Sequence, residues 1–140
     1  MTRAAIIAMI LSIATEYNLP PYFVLSVALT ENAELNPMAI SKQNSNGSFD
    51  KGIMQLSSSW FTGDWADPET NIREGCRLLK EIMRRPDVVT FWTVAVCYNA
   101  GCKWLALGEK PPDSSLKYAD RVMLRWDELD KRKAQVLVRK

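Results

Sequence analysis

The sequence predicts a mainly helical fold of the α+β type, with one small β-hairpin and two buried central helices surrounded by others. Residues 22–31 and 88–99 are apolar nearly all round, which is typical of helices buried on every side. Residues 71–84 and 115–136 carry apolar side chains at helical spacing. Asn46-Gly47 lies between two short segments and is a strong local signal for a hairpin turn.

The N-terminal apolar segment predicts the first helix, at about 3–17. A basic residue before an apolar run also suits a signal peptide, but this run continues into Thr15-Glu16-Tyr17 without a small-residue cleavage site. The run is also too short to span a bilayer. Pro20-Pro21 ends this helix and primes the next, because proline is accepted at a first helical position.

The second helix is expected to end at Glu31, where an apolar run stops abruptly. A loop is predicted over 32–43 and the hairpin over 44–56, with Gly47 supplying the positive φ of its turn. The hairpin would fold back over the helix end. That arrangement would place Glu31 and Asp50 across a cleft.

The two carboxylates are expected to differ. The negative end of the helix dipole and apolar neighbours would raise the pKa of Glu31, so that it keeps a proton as a general acid requires. Asp50 lies among asparagines and serines and would stay ionised. Two carboxylates in unequal surroundings suit glycosidic bond cleavage. The alternative is a solvated acid at a helix end and an aspartate that caps its own turn.

Two further helices are predicted with caps. Thr70 is expected to cap the helix at 71–84, and Asp87 the helix at 88–99. Gly101 stands where a left-handed C-cap is expected. The aromatic pair Trp60 and Phe61, which precedes these helices, suggests core packing, with a sugar-stacking wall as the alternative.

Tyr98 and Asn99 would lie at the end of the second buried helix, as Glu31 does at the end of the first. Two central helices that end side by side would form the floor of a catalytic cleft. A loop at 102–113 and a last helix at 115–136 complete the prediction. Tyr98 as a core tyrosine is the alternative to a cleft residue.

The composition excludes several classes of site. Histidine is absent, which removes Ser-His-Asp and Cys-His catalysis and disfavours zinc. The three cysteines Cys76, Cys97 and Cys102 have no metal-site spacing, so no metal and no cofactor are expected. Cys76 and Cys97 fall on apolar helix faces, and a disulfide among the three is allowed but not required.

The length of 140 residues predicts one domain, expected to be a monomer. The net charge of +2 does not favour nucleic acid as a partner. Basic residues crowd 131–140, which we interpret as a frayed, solvated helix end. Weak attraction to anionic cell-wall polymers is the alternative interpretation of these basic residues.

Four motifs, in order, resemble those of the soluble lytic transglycosylases, and the resemblance extends over about residues 5–125. They are Glu31-Asn32 with Asn36-Pro37-Met38-Ala39-Ile40-Ser41, then Gly52-Ile53-Met54-Gln55, then Asp67-Pro68 with Asn71-Ile72 and Gly75, and finally Tyr98-Asn99-Ala100-Gly101. The resemblance implies a lysozyme-like fold and a catalytic Glu31. It also implies cleavage of the β-1,4 bond between N-acetylmuramic acid and N-acetylglucosamine, with closure of the sugar's 6-hydroxyl onto the anomeric carbon.

The resemblance also implies substrate-binding residues. Gln55, Tyr98 and Asn99 would position the substrate or the acid, and Tyr118 stands where the family often has a cleft tyrosine. The chain departs from the family pattern at Asn32, where serine is usual, and has one extra residue before Asn36-Pro37. Asparagine can still donate a hydrogen bond to the substrate or the acid.

Residues 44–55 are in addition similar to the hairpin of animal-type lysozymes, in which the acid matching Asp50 is the second catalytic carboxylate. This leaves hydrolysis by water as an alternative outcome. A wall-binding virion module without catalysis is a third interpretation. The target in each case is the peptidoglycan glycan strand, without stable membrane insertion. The missing export signal fits a phage enzyme that stays in the host cytoplasm until release, or one carried in the virion.

Overall fold

The computed structural model describes the backbone of residues 1–139 and the side chains of residues 1–133. It confirms a mainly helical fold with a small antiparallel hairpin. The elements are α1 (Arg3–Glu16), α2 (Pro21–Glu31), β1 (Asp50–Lys51), β2 (Leu56–Ser57), α3 (Pro68–Met83), α4 (Phe91–Ala100), α5 (Lys103–Ala106) and α6 (Asp113–Arg139).

The chain divides into two compact units, with the boundary between Arg77 and Leu78 inside α3. The organisation as a single domain stays a prediction. Residues 131–139 of the predicted basic tail belong to α6, and Lys140 and the side chains of residues 134–139 lie outside the described part. None of the described helices is both long and apolar enough to cross a membrane.

The core of the first unit is built on α1 and α2, which pack against each other. Every residue of α2 from Phe23 to Leu29 is buried, including Ser26, as the apolar sequence predicts. Ile6, Ile10 and Ile13 bury one stripe of α1. Because α2 is enclosed along most of its length, its C-terminal end has a fixed place in this unit.

The hairpin forms, but its turn is not the predicted one. β1 and β2 pair with Asp50 opposite Ser57 and Lys51 opposite Leu56, so residues 52–55 make the turn. The Asn46-Gly47 turn also forms, with φ 84° at Gly47, and it joins β1 to the segment that pairs at Ile40. The local Asn-Gly signal is real but belongs to the preceding connection.

Helix α3 begins earlier than predicted because its cap is Asp67 and not Thr70. The Asp67 carboxylate accepts hydrogen bonds from the backbone N–H of Thr70 at 3.0 Å and from its hydroxyl at 2.7 Å. Pro68 then occupies the first helical position. These two hydrogen bonds lower the pKa of Asp67.

Helix α4 begins later than predicted, at Phe91, because Thr90 caps it by accepting a hydrogen bond from Thr93 N–H at 3.1 Å. Asp87, the predicted cap, instead pairs with Arg85 at 2.9 Å, which lowers the pKa of Asp87. Gly101 is the C-cap, as predicted, with φ 76°. In α4, burial is confined to residues 94–97, so this helix is less enclosed than its apolar composition suggests.

The second unit packs α4 against α6. The rings of Phe91 and Trp126 meet edge to face at 5.2 Å, and Trp92 Nε1 donates to Asp120 at 3.0 Å. The short helix α5 lies inside the predicted loop, where Trp104 Nε1 donates to Gly101 O at 2.8 Å.

Trp60 does not join a core. Trp60 is 43% exposed, and its ring contacts the Phe61 ring edge to face, with the two centroids 6.1 Å apart. The prediction of core packing is therefore wrong for Trp60.

Candidate active site

Glu31 is the last residue of α2 and is half-buried. Asn32 caps the helix by donating its backbone N–H to Ala28 O at 2.8 Å. The chain then turns at once, since Leu35 N–H donates to Asn32 O at 2.9 Å and Leu35 has φ 50°. The buried body of α2 and this tight turn together set where Glu31 lies in its unit.

The Asn32 side chain is buried, 9% exposed, and binds backbone on two sides. Its Nδ2 donates to Asn36 O at 2.9 Å and to Gly52 O at 3.3 Å, and its Oδ1 accepts from Asn36 N–H at 3.2 Å. These bonds connect the residue after Glu31 to the turn between β1 and β2. The predicted role of Asn32 in substrate binding stays a prediction.

Asp50 lies in β1 in polar surroundings, as the sequence predicts. Its Oδ1 accepts from Asn44 Nδ2 at 3.2 Å. Its backbone N–H donates to Ser41 Oγ at 2.9 Å and its carbonyl accepts from Ser41 N–H at 2.9 Å. The carboxylate is thus held by its own hairpin region, and its catalytic role stays a prediction.

Gln55 takes a left-handed backbone conformation, φ 53°, at the end of the turn. Its Nε2 donates to Gly52 O at 2.9 Å and to Ala39 O at 3.3 Å. Because both amide hydrogens bind backbone, the group that Gln55 can offer a ligand is the Oε1 acceptor.

In the second unit, Tyr98 is half-buried and Asn99 is exposed at the end of α4. Asn99 Oδ1 accepts from the buried Ser115 hydroxyl at 2.7 Å, which ties this helix end to the start of α6. A disulfide between Cys97 and Cys102, with Cα atoms 4.8 Å apart, closes the segment that contains Tyr98 and Asn99.

The family model for the transglycosylase SLT domain matches residues 8–110. The chain belongs to the transglycosylase SLT domain family. Lytic transglycosylase activity on peptidoglycan is supported at the level of this family. A search of curated proteins finds no match.

The match runs from α1 through α5 and includes all four sequence motifs of the SLT domain. It contains Glu31, Asp50, Gln55, Tyr98 and Asn99. Tyr118, 4% exposed in α6, lies beyond it. The cleft expected at the ends of the two central helices, and the meeting of these side chains there, stay predictions.

Sequence reasoning missed the importance of Asn71 in this SLT domain. Asn71 is fully buried; its Oδ1 accepts from Met54 N–H at 2.7 Å, and its Nδ2 donates to Lys51 O at 3.1 Å and Trp65 O at 2.9 Å. A polar residue on the apolar stripe of α3, beside Ile72, was the available signal. The motif at 67–75 therefore caps α3 and anchors the 51–55 turn.

Two glycines of the SLT motifs allow this close approach. A Cβ on Gly52, which has φ 80°, would collide with Asn71 Nδ2 and lie 2.7 Å from Trp65 O. A Cβ on Gly75 would lie 2.9 Å from the Cβ of Met54. The Gly-Ile-Met-Gln turn and α3 thus fit together only without these side chains.

The thiol of Cys76 is a poorer candidate for catalysis than the carboxylates. Cys76 is buried outside the disulfide, and burial raises the pKa of its thiol to about 12. A thiol of that pKa is a poor nucleophile at neutral pH. Among the described residues, no three His, Cys, Asp or Glu side chains are grouped to hold a metal ion.

Proposed function

We propose that this SLT domain cleaves the β-1,4 bond between N-acetylmuramic acid and N-acetylglucosamine in peptidoglycan and leaves 1,6-anhydro ends. The observation that carries the proposal is the family match over residues 8–110, which includes a glutamate at the end of an enclosed helix. The substrate is the glycan strand of the bacterial wall.

Glu31 acts first as the general acid and protonates the glycosidic oxygen as the bond to the anomeric carbon breaks. The resulting carboxylate then takes the proton of the muramic acid 6-hydroxyl, whose oxygen attacks the anomeric carbon. One residue serves in both steps, so the proton balance closes without water. In the first unit, Gln55 Oε1 positions the sugar. Tyr98, Asn99 and Tyr118, which lie in the second unit, are the further sugar-positioning residues that the family resemblance implies.

An exposed aromatic ring supports a sugar ligand. Trp60 is 43% exposed beside β2, and its backbone N–H is held by Ser57 O at 3.3 Å. An indole face packs well against the C–H face of a hexose. The sugar-stacking interpretation of Trp60 therefore gains support from its exclusion from the core.

Hydrolysis as in lysozyme is the second candidate, favoured by the surroundings of Asp50. Asn44 Nδ2 holds Oδ1 of this side chain in place, and in the lysozyme version the carboxylate stabilises or traps an oxocarbenium-like centre until water attacks. In this version Asp50→Asn removes most activity. In the transglycosylase version the same variant keeps most of it.

Mass spectrometry of the soluble muropeptides separates the two outcomes. Anhydro products, lighter by one water than hydrolysed products, support the proposal, and hydrolysed products alone support the lysozyme version. Glu31→Gln should abolish clearing of purified walls in either case. Glu34→Gln is the matched control, because Glu34 is an exposed glutamate on the loop that directly follows Glu31. Wall clearing by a folded Glu31→Gln protein would refute both versions, and binding without clearing by the unaltered chain would indicate a wall-binding module.

A further inference from the structure

We propose that Asn32 is a positioning residue that fixes the end of α2, and with it Glu31, to the 51–55 turn. The proposal rests on the proposed function of Glu31 as the acid. It differs from the sequence prediction, in which Asn32 contacts the substrate. The distinction is whether the amide acts on a ligand or on the protein's own backbone.

The Asn32 side chain makes its three hydrogen bonds to backbone groups. Two donors reach Asn36 O and Gly52 O, and the acceptor receives Asn36 N–H. A buried amide that lost these partners would leave polar groups unsatisfied, which is costly. The side chain is therefore committed to the protein's own backbone.

The Gly52 carbonyl is a firm anchor. It also accepts from Gln55 Nε2 at 2.9 Å, and Gly52 N–H donates to Ala39 O at 2.8 Å. On the other side of the turn, the fully buried Asn71 holds Lys51 O and Met54 N–H. A bond from Asn32 to this carbonyl therefore connects the helix end to a turn that is fixed by several other contacts.

The loop after Glu31 explains why an amide is used here. A serine hydroxyl has one hydrogen to donate, whereas asparagine donates two and accepts through its carbonyl oxygen. The loop from Asn32 to Asn36 needs one donor and one acceptor, and the turn at Gly52 needs another donor. Asparagine satisfies all three groups. The same side chain also closes the loop that contains the extra residue of this chain.

The test measures kcat and KM of Asn32→Ala and Asn32→Ser on soluble glycan strands. For Asn32→Ala we expect kcat to fall about 100-fold, because a displacement of about 1 Å from productive geometry has an effect of that order. KM should change little. Asn32→Ser, which restores one donor, should recover part of kcat, and it covers the case in which the alanine variant does not fold.

A second readout does not depend on activity. In both variants the NMR order parameters of the Glu31 and Asn36 amides should fall from about 0.85 toward about 0.6. Asn71→Ser is the comparison variant, because it loosens the same turn without contacting the helix end. It should lower the order parameter of the Glu31 amide less than Asn32→Ala does, because Asn32 keeps its hydrogen bonds to Asn36.

Three results would overturn the proposal: a rise in KM with kcat retained, unchanged order parameters in Asn32→Ala, or equal loss of order at Glu31 in Asn71→Ser. If the unaltered chain has no wall activity, the proposed function fails. The order parameters still decide whether Asn32 holds the helix end.

Discussion

Gly52 and Gly47 share a left-handed backbone but differ in their surroundings. Their φ values are 80° and 84°, so an alanine at either position carries similar backbone strain. At Gly52 a Cβ would in addition collide with Asn71 and approach Trp65 O, whereas at Gly47 the nearest atom is Gln43 Nε2 at 3.8 Å. Alanine substitutions at these two positions therefore separate the cost of backbone strain from the cost of a steric collision.

We therefore expect Gly52→Ala to lower the free energy of unfolding by about 3 kcal/mol or more, and Gly47→Ala by about 1 kcal/mol. Urea denaturation of both variants and the unaltered chain measures the difference. Equal losses of unfolding free energy in the two variants would mean that contact between Asn71 and a side chain at position 52 adds no steric cost.

At the level of the helices, the start of α3 should make stability depend on pH. The Thr70 hydrogen bonds lower the pKa of Asp67 in the folded state below its value in the unfolded chain. A lowered pKa contributes stability that is present above the unfolded value and is lost as the pH falls through the folded one. The contribution of the Asp67 charge should therefore begin to fall at about pH 4, the unfolded value, and should disappear once the pH is below the lowered folded pKa.

Asp67→Asn and Asp67→Ala test this dependence. Asparagine is a good cap that does not ionise, so the advantage of the unaltered chain over Asp67→Asn should shrink as the pH falls from about 7 to about 3. Asp67→Ala should be less stable than Asp67→Asn throughout. A difference between the unaltered chain and Asp67→Asn that stays constant with pH in urea denaturation would contradict the role of the charge.

The Cys97–Cys102 disulfide closes a short loop at the end of α4. In the chain-entropy model a loop this short contributes about 2 kcal/mol, so reduction should lower the Tm. Alkylation of the unfolded chain should modify Cys76 alone before reduction and all three cysteines after it. Modification of Cys97 before reduction would contradict the disulfide, and Cys97→Ser should show no further loss of Tm with reductant.

The sequence predicted the helices better than their ends. The apolar segments identify α2 and α4 because burial follows composition, and Gly101 identifies the C-cap. The caps at Asp67 and Thr90 were missed because Thr70 and Asp87 are equally good cap residues on sequence alone. Helix α5 is one turn long, which is too short for a periodic sequence signal, and the hydrogen bond from Trp104 to Gly101 O in this segment has no sequence signal either.

The candidate site shows the same limit. The position of Glu31 at a helix end follows from the apolar run that precedes it. The 51–55 turn does not follow from local sequence, because the left-handed Gln55 and Gly52 are held by Asn71, a residue of another element. Tertiary hydrogen bonds of this kind override local turn preferences, so the turn was assigned to the stronger Asn-Gly signal.

At the scale of the whole molecule, the predicted single domain requires that the two compact units unfold together. The boundary between them lies inside α3, so a break in this helix tests the coupling. Arg77 is exposed. Proline there would cost about 3 kcal/mol, because it removes a helical hydrogen bond and clashes with the preceding turn. Arg77→Ala keeps the helix and controls for the lost side chain.

If the chain is one cooperative domain, Arg77→Pro should speed amide exchange at Val24 and at Val96 by a similar factor of about 100, since every 1.4 kcal/mol is tenfold. These residues are buried in the first and the second unit. Calorimetry of the unaltered chain should show one transition, with equal calorimetric and van't Hoff enthalpies. Faster exchange at only one of the two valines would show that the units unfold separately, and the chain would then be two cooperative units joined by α3.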